Sequence, residues 1–274
     1  MSTLAEIKAV FDAAYPPETA EPWDAVGLVC GDPEAVVRRV MFAVDPVDTV
    51  LDEALDWGAD LLVTHHPLLL KPVHGVPATT FKGRSVHRLI AGGCALLTAH
   101  TNADLARPGV SDALALALGL SVAGPILPLR GAAPDGLRGL GRFGSLPAAE
   151  PLGAFAERVA AALPRTAAGV RVSGDPDRPI RTVAVCGGAG DDRELLAAVR
   201  AAGADAYVTA DLRHHPAAEA MEEARFGGGP ALVDVAHFAS EWPWLPVAAA
   251  LLAGGTVDTR VSTLVTDPWT AHMP

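Results

Sequence analysis

The stretch GADLLVTHHP, residues 58–67, joins an apolar run to two adjacent histidines and a proline. The run LLVT is typical of a buried strand, and Pro67 favours an extended turn directly after it. Three interpretations of His65 and His66 are open at this point. They could end a strand and carry a metal or a catalytic base, they could lie in a surface loop, or they could belong to a turn without chemistry.

Strand-like and helix-like segments alternate around this stretch. They predict a strand at 37–45, a helix at 46–58, a strand at 59–67, a helix at 85–93 and a strand at 94–104 that runs into a loop. The same order returns later, with a strand predicted at 180–188, helices at 191–203 and 217–229, and the segments 204–216 and 230–242 in the places of the later strands. Such alternation predicts an α/β fold with largely parallel sheets.

The two series also resemble each other in detail. GADLLVT at 58–64 matches GADAYVT at 203–209. His100 is followed four residues later by Asp104, and His237 is followed four residues later by Glu241. Chance matching of alanine-rich segments is the alternative, but order, spacing and end chemistry agree. We therefore predict an internal duplication, with domain I at 1–125 and domain II at 126–274.

Composition excludes several classes of protein. The 274 residues are half hydrophobic and carry a formal charge of −11, so broad binding to nucleic-acid backbones is not expected. The three cysteines form no CxxC pair, which suits a reducing compartment. The N-terminal stretch predicts a short amphipathic helix rather than a signal peptide, and no apolar run is long enough to span a membrane. We expect a cytoplasmic protein.

Side chains of the metal-binding type lie at the carboxyl ends of the predicted strands. They belong to His65, His66, His100, Asp104, His237 and Glu241. In parallel sheets, ligands gather at the carboxyl ends of the strands. Imidazole with carboxylate suits zinc, manganese, iron or cobalt better than magnesium, and pairs of such ions are common in hydrolases.

A second histidine doublet, His214–His215, illustrates the risk of such an interpretation. It lies in ADLRHHP, away from the end of its predicted strand, and it could simply line a cleft or cap a helix. The adjacent Arg213 could contact a phosphate group or be an ordinary surface arginine.

Five motifs together resemble the NIF3-like dinuclear metal centre proteins, whose bacterial members are often labelled GTP cyclohydrolase 1 type 2 homologs. They are WDAVGLVCGD (23–32), VTHHPLL (63–69), HTNADLA (100–106), GADAYVTADLRHH (203–215) and DVAHFASEWPWL (234–245). The resemblance runs in order over nearly the whole chain. It implies two intertwined three-layer α/β domains, with the C-terminal part, about 230–274, packing back on domain I to complete the metal site. It also implies a homo-hexamer.

The ligand pattern of that family carries over to five residues. The resemblance implies His65 and His66 from THHP, Asp104 from HTNxD, and His237 with Glu241 from HxxSE as ligands of two divalent ions, zinc, manganese, iron or cobalt. His100 matches a position beside the metals. The chain departs from the pattern at Ala25, where asparagine is usual, and at Val235-Ala236, where alanine-glycine is common; neither departure removes a ligand.

The resemblance implies a metal-dependent hydrolase that acts on a nucleotide or another small molecule. The label points to opening of the GTP ring with release of formate, and Glu241 or His100 would move protons. The sequence contains no P-loop and no GxGxxG motif. The alternative is a non-catalytic metal-binding ring that acts as a scaffold, a regulator or a metal-handling protein.

Overall fold

The computed structural model describes residues 2–129 and 136–273, and these residues form two compact units. The first unit consists of the chain up to Ala106 together with Leu245–Thr266. The second consists of Arg107–Trp244 and the chain from Asp267 onward. Each unit is described below by itself.

Helices and strands alternate along both units. The strands are β1 (Ser2–Thr3), β2 (Gly27–Cys30), β3 (Val36–Val37), β4 (Arg39–Ala43), β5 (Leu61–Thr64), β6 (Ala95–Thr98), β7 (Ser121–Gly124), β8 (Leu127–Pro128), β9 (Gly139–Leu140), β10 (Arg142–Pro151), β11 (Arg171–Ser173), β12 (Pro179–Ala189), β13 (Ala206–Ala210), β14 (Ala231–Val235) and β15 (Asp258–Val261). The helices are α1 (Leu4–Ala14), α2 (Asp48–Trp57), α3 (Phe81–Ala91), α4 (Thr101–Leu105), α5 (Val110–Ala117), α6 (Leu152–Ala162), α7 (Arg193–Ala201), α8 (His214–Gly227), α9 (His237–Glu241) and α10 (Trp244–Ala250).

The first unit is built on a five-stranded sheet in the order β15-β4-β5-β6-β2. The first four strands are parallel, and β2 runs antiparallel to β6 at the edge. Because side chains alternate between the faces of a strand, Met41 packs with Val50 of α2 and Leu89 of α3. On the other face, Phe42 contacts Phe11 of α1, with ring centroids 6.1 Å apart. Helices therefore cover both faces of this sheet.

The second unit is built on a six-stranded sheet in the order β11-β14-β13-β12-β10-β7. β12, β13 and β14 are parallel, and the other three strands are antiparallel to their neighbours. Cys186 of β12 packs with Leu195 and Val199 of α7. The next residue, Gly187, faces α5, where an added Cβ would lie 2.6 Å from Val110. The second unit is thus also three-layered, and the predicted α/β fold is confirmed.

Matching hydrogen bonds in the two sheets support the predicted duplication. Oδ2 of Asp60, directly before β5, accepts from the backbone N–H groups of Arg38 and Arg39 at 2.7 and 2.9 Å. Oδ2 of Asp205, directly before β13, accepts from the backbone N–H groups of residues 181–182 at 3.0 and 2.8 Å. The GAD motif therefore has the same role in both units: its aspartate, directly before one parallel strand, accepts hydrogen bonds from the backbone of the neighbouring strand.

Two predicted segments end differently in the structure. The segment 94–104 was expected to run from a strand into a loop, and 230–242 was expected to close the second series with His237 and Glu241 after its strand. Each becomes a short strand followed by a five-residue helix, α4 or α9. A helix of five residues is shorter than two turns, so it leaves almost no periodic pattern in a sequence.

The division of the chain also differs from the expected boundary between 125 and 126. The change from the first unit to the second lies between Ala106 and Arg107. The intervening residues belong with the second sheet because α5 packs against β12 and β7 pairs with β10. Of the C-terminal part, about 230–274, Leu245–Thr266 lie in the first unit, where β15 extends the sheet beside β4.

No helix in the described part of the chain has both the length and the apolar character that a membrane span requires.

Candidate metal centre

The first unit gathers histidines at the carboxyl edge of its sheet. β5 and β6 are neighbouring parallel strands, with Thr64 paired to Thr98 in the last register position. His65 and His66 follow β5 directly, and His100 follows β6 after one residue. Since the strands run in the same direction, their following residues reach the same edge.

The rings of His65, His66 and His100 form one cluster. The ring centroids of His65 and His66 are 5.1 Å apart, and that of His100 lies 5.1 Å from His65 and 5.4 Å from His66. Each ring offers a nitrogen atom within 4.8 Å of the others. Adjacent residues of a continuing strand would point to opposite faces, but β5 ends at Thr64, whose hydroxyl bonds the carbonyl of His66 at 2.9 Å. The end of the strand therefore keeps the two rings together.

His65 is completely buried and has a fixed orientation. Its Nδ1 lies 2.9 Å from the carbonyl oxygen of Ala99, and since a carbonyl can only accept, Nδ1 carries the hydrogen. Its Nε2 lies 3.7 Å from Oδ1 of Asp104 on α4. An imidazole nitrogen and a carboxylate oxygen are thus adjacent in the first unit.

His66 is oriented by a carboxylate that follows the neighbouring strand β4. Its Nδ1 lies 2.7 Å from Oδ1 of Asp45. Oδ2 of the same aspartate accepts a hydrogen bond from the hydroxyl of Thr266, near the end of the segment that returns to the first unit. The orientation of the His66 ring is therefore supported from two distant parts of the sequence.

His100 forms a pair with a buried aspartate. Its Nδ1 lies 2.8 Å from Oδ1 of Asp24, whose side chain is fully buried. Oδ2 of Asp24 accepts from the backbone N–H of Thr101 at 3.0 Å and also from its hydroxyl. Burial on its own raises the pKa of Asp24, but the bonds from His100 and Thr101 outweigh it and hold that pKa well below its usual range. Asp24 is therefore a carboxylate that keeps the proton of His100 on Nδ1.

The second unit has a histidine–carboxylate pair on α9. His237 begins this helix and Glu241 ends it, so the two side chains lie one turn apart on the same face. Nε2 of His237 lies 2.9 Å from Oε1 of Glu241, and Nδ1 lies 2.8 Å from Oδ2 of Asp211. Burial lowers the pKa of His237, but the two carboxylates outweigh it and raise the pKa to about 11. The two carboxylates therefore hold a proton on this ring, and a metal ion at the pair would take the place of the proton between Nε2 and Oε1.

A glycine makes room for this pair. Gly188 of β12 has φ 71°, and a Cβ added there would lie 2.6 Å from Oε1 of Glu241 and 3.3 Å from Nε2 of His237. Its backbone N–H donates to Oγ of Ser240 at 2.8 Å, and its carbonyl accepts from the hydroxyl of Thr209 at 3.1 Å. Only glycine combines this positive φ with the close approach of the two charged side chains.

The donor set fits a divalent metal ion. All four histidines hold Nδ1 against an oxygen atom, that of Ala99, Asp45, Asp24 or Asp211. Metal-binding histidines usually have this arrangement, because the bond at one nitrogen fixes the ring and leaves the other nitrogen as the ligand. Carboxylate oxygens lie beside two of the remaining nitrogens, at His65 and His237. Groups that can bind a metal are therefore present in both units.

The two His-x-x-x-acid pairs are not equivalent in detail. Ala95 and Ala231 occupy the same position in the two sheets, since each donates its N–H to the carbonyl of the GAD aspartate. Counting from them, His100 precedes the first residue of α4, whereas His237 is itself the first residue of α9. The similar spacing in the sequence thus leads to different contacts in the two units.

The second doublet lies outside these groups. His214 and His215 form the first turn of α8, with ring centroids 5.3 Å apart. Arg213 precedes the helix and pairs with Asp191. The doublet thus starts a helix, but it does not cap it, because the N-cap residue is Arg213.

Three orienting aspartates were missed among the expected site residues: Asp24, Asp45 and Asp211. Asp24 lies in the quoted WDAVGL motif, and Asp45 is the last residue of a predicted strand. Asp211 occupies the position of His66 when GADAYVTAD is set against GADLLVTHH. Its backbone has φ 55°, a value that aspartate tolerates better than most residues. Comparing the two repeats residue by residue would have indicated Asp211.

Comparison with known proteins shows to which family the chain is related. The protein-family model of Duf34/NIF3 (NGG1p interacting factor 3) matches residues 2–268. A Streptomyces coelicolor protein named GTP cyclohydrolase 1 type 2 homolog is 53% identical over 279 aligned positions, which cover 100% of this chain and 95% of that protein. A Mycobacterium tuberculosis protein of the same name is 40% identical over 372 positions, covering 97% of this chain and 96% of that protein.

A solved structure shares the fold. The crystal structure of a Bacillus cereus protein related to NIF3 superposes with a TM-score of 0.83 at 26% identity and covers 98% of each chain. The match to the family model spans almost the entire sequence, and the relatives are similar over nearly their full lengths. The chain belongs to the Duf34/NIF3 family.

Proposed function

We propose that this protein is a metal-dependent hydrolase that holds two divalent ions per chain. His65, His66 and Asp104 would supply ligands from the first unit, and His237 and Glu241 from the second. Zinc, manganese, iron and cobalt all suit this mixture of imidazole and carboxylate. When bound, such ions supply Lewis-acid activation of a substrate and of water.

The observation that carries the proposal is the shared orientation of the histidines. Each has Nδ1 bonded to a carbonyl or carboxylate oxygen, so Nε2 is the nitrogen offered for binding. A histidine that is only packed in a core could form such a bond at either ring nitrogen or at neither. Four in one chain, three of them with rings about 5 Å apart, favour a built site.

His100 and Glu241 are the residues proposed to move protons. Asp24 keeps a proton on Nδ1 of His100, so Nε2 is left to accept a proton from substrate or water and to return it later. Asp24 itself stays ionised because its pKa is lowered. Glu241 is buried next to His237 and would act as a ligand and as a base at the same position.

The substrate proposed first is a nucleotide, with GTP as the first to test. The support is the name of the relatives, GTP cyclohydrolase 1 type 2 homolog. We also propose a cytoplasmic homo-hexamer, as the family resemblance implies. The three cysteines are free in the structure, which is consistent with a reducing compartment.

The test is turnover by protein of known metal content. Purified protein would be loaded separately with zinc, manganese, iron or cobalt, its mass measured by light scattering, and formate and phosphate release followed with GTP and a nucleotide panel. Release should follow metal occupancy and disappear in His65→Ala and Glu241→Gln. His214→Ala, which changes a histidine outside the proposed ligands, is the matched control and should keep full activity.

A fully loaded protein that releases nothing from any substrate would contradict the hydrolase proposal. In that case the metal-binding scaffold, regulator or metal-handling function becomes the better proposal. It predicts loss of partner binding or assembly, rather than loss of product, in the same variants.

A further inference from the structure

A large aromatic side chain stands exposed beside the histidine cluster of the first unit. The side chain of Trp23 is 58% exposed. Its ring centroid lies 6.0 Å from that of His100, with an angle of 76° between the planes. A single tilted neighbour cannot cover both faces of an indole. Trp23 therefore offers an open aromatic surface next to the candidate metal centre.

The backbone that carries Trp23 is held on both sides. Before it, the N–H of Glu21 donates to the hydroxyl of Thr101 at 2.9 Å. After it, Asp24 bonds to His100 and Thr101 through its buried carboxylate, and its N–H donates to the carbonyl of Glu21 at 2.9 Å. The backbone of Trp23 is thus anchored to the same residues that orient His100, so no ordering of the backbone is needed when the indole binds a ligand.

We propose that Trp23 is a stacking platform for a planar heteroaromatic ring of the substrate. This inference rests on the proposed function, because it assigns part of the substrate to the same site. A ring that contacts Trp23 lies beside His100, whose own ring is 5.1 Å from His65 and 5.4 Å from His66. Stacking on tryptophan would therefore place the flat part of the substrate within reach of the proton-moving histidine.

A flat ring fits this surface better than an aliphatic or a cationic group. An aliphatic group would gain only burial, which an exposed side chain provides poorly. Cationic ligands such as quaternary ammonium groups are normally held by a cage of several aromatic rings, whereas Trp23 is paired here with a histidine that Asp24 orients. Nucleobases and similar heterocycles stack well on one aromatic side chain.

The experiment compares two probes that share a ribose phosphate, only one of which carries a heteroaromatic base. Binding of guanosine 5′-monophosphate and of ribose 5-phosphate to the metal-loaded, full-length protein would be measured by calorimetry. The wild type should bind the nucleotide about tenfold more tightly, the preference expected from one base–aromatic stack. Trp23→Leu, which keeps an apolar side chain but removes the ring, should bring the two affinities within about twofold of each other.

Two further variants serve as controls. Trp23→Phe retains a smaller aromatic ring and should keep part of the preference, and it provides a second test if the leucine variant does not fold. Trp269→Leu changes another exposed tryptophan, 70% exposed, and should leave the preference unchanged. Light scattering and metal content would be recorded for every variant.

The inference is overturned if Trp23→Leu keeps the full preference, or if the wild type shows none. It is also overturned if the leucine variant changes the mass of the assembly, since Trp23 would then be an interface residue. Turnover is measured separately. A protein with a ring preference that depends on Trp23 but without turnover would keep this inference and contradict the hydrolase proposal.

Discussion

At the scale of single residues, orientation distinguishes the candidate ligands from ordinary histidines. His66 and His237 each hold Nδ1 against a carboxylate, and in the repeat comparison Asp211 stands where the other unit has His66. One duplicated position thus provides a candidate ligand in one unit and an orienting group in the other. Glycine matters at the same scale, because the space beside Glu241 exists only where residue 188 lacks a Cβ.

Gly188→Ala tests that space. The new Cβ would lie 2.6 Å from Oε1 of Glu241, so metal affinity at the His237–Glu241 pair should fall at least about tenfold. The positive φ adds a loss of roughly 1–2 kcal/mol in the free energy of unfolding. Metal titration against a chelator and denaturant unfolding measure the two effects.

Gly203→Ala is the matched control, because Gly203 has φ 70° and no atom within 4 Å of the added Cβ. It should lower stability by a similar amount but leave metal affinity unchanged. Equal metal affinity in both variants would show that the space beside Gly188 does not affect metal binding.

Asp24→Asn tests the carboxylate that orients His100. The pKa of Asp24 is lowered in the folded protein, so its contribution to stability is present above the unfolded value of about 3.9 and is lost as the pH falls through the folded value. At pH 7 the variant should lose about 1–3 kcal/mol in the free energy of unfolding. The difference from wild type should narrow below about pH 4.

Denaturant unfolding at a series of pH values would follow that difference. Asp12→Asn, which changes a partly exposed carboxylate paired with Lys8 on α1, should cost less than about 1 kcal/mol. A loss in Asp24→Asn that stays constant down to pH 3 would mean that charge is not the source of its stabilisation.

At the scale of elements, the repeated GAD turn explains why two sheets of different size share one core pattern. Each aspartate accepts two backbone N–H groups and fixes the start of the central strand. The sequence predicted the alternation of strands and helices in both units, because period-2 and period-3.6 patterns are local. It missed α4 and α9, which are too short to show a period.

Asp60→Ala and Asp205→Ala should therefore have similar effects in their own units. Each removes two hydrogen bonds to a carboxylate, and we expect each to lower the free energy of unfolding by about 2–4 kcal/mol. Asp60→Asn and Asp205→Asn keep one acceptor oxygen and should lower the free energy of unfolding by a smaller amount. Chemical unfolding measures the four values, and a large loss in one unit with none in the other would argue against equivalent turns.

At the scale of the whole molecule, the return of the chain to the first unit is the main feature. Leu245–Thr266 follow the second unit in sequence but belong to the first. There β15 pairs with β4, Ser262 donates to Glu53 at 2.5 Å, and Thr266 donates to Asp45. The returning segment thus ends on the aspartate that orients His66.

Thr266→Val tests this connection. Loss of the hydroxyl should loosen Asp45 and lower the metal affinity of the first unit by up to about tenfold, the smaller end of the effects of outer partners on metal sites. Thr266→Ser keeps the hydroxyl and should bind metal as the wild type does. Competition with a chelator measures both, and equal affinity in the valine and serine variants would show that the returning segment does not support the site.

The sequence by itself determined the fold class, the duplication and the identity of the candidate ligands. Strand and helix periods are local, and the motifs THHP, HTNxD and HxxSE are short. Only the tertiary structure decided how those side chains are held. Asp24 reaches His100 across 76 residues of sequence, and Thr266 reaches Asp45 across 221. Such contacts depend on which strands lie side by side and on where the chain returns, and no local pattern encodes either.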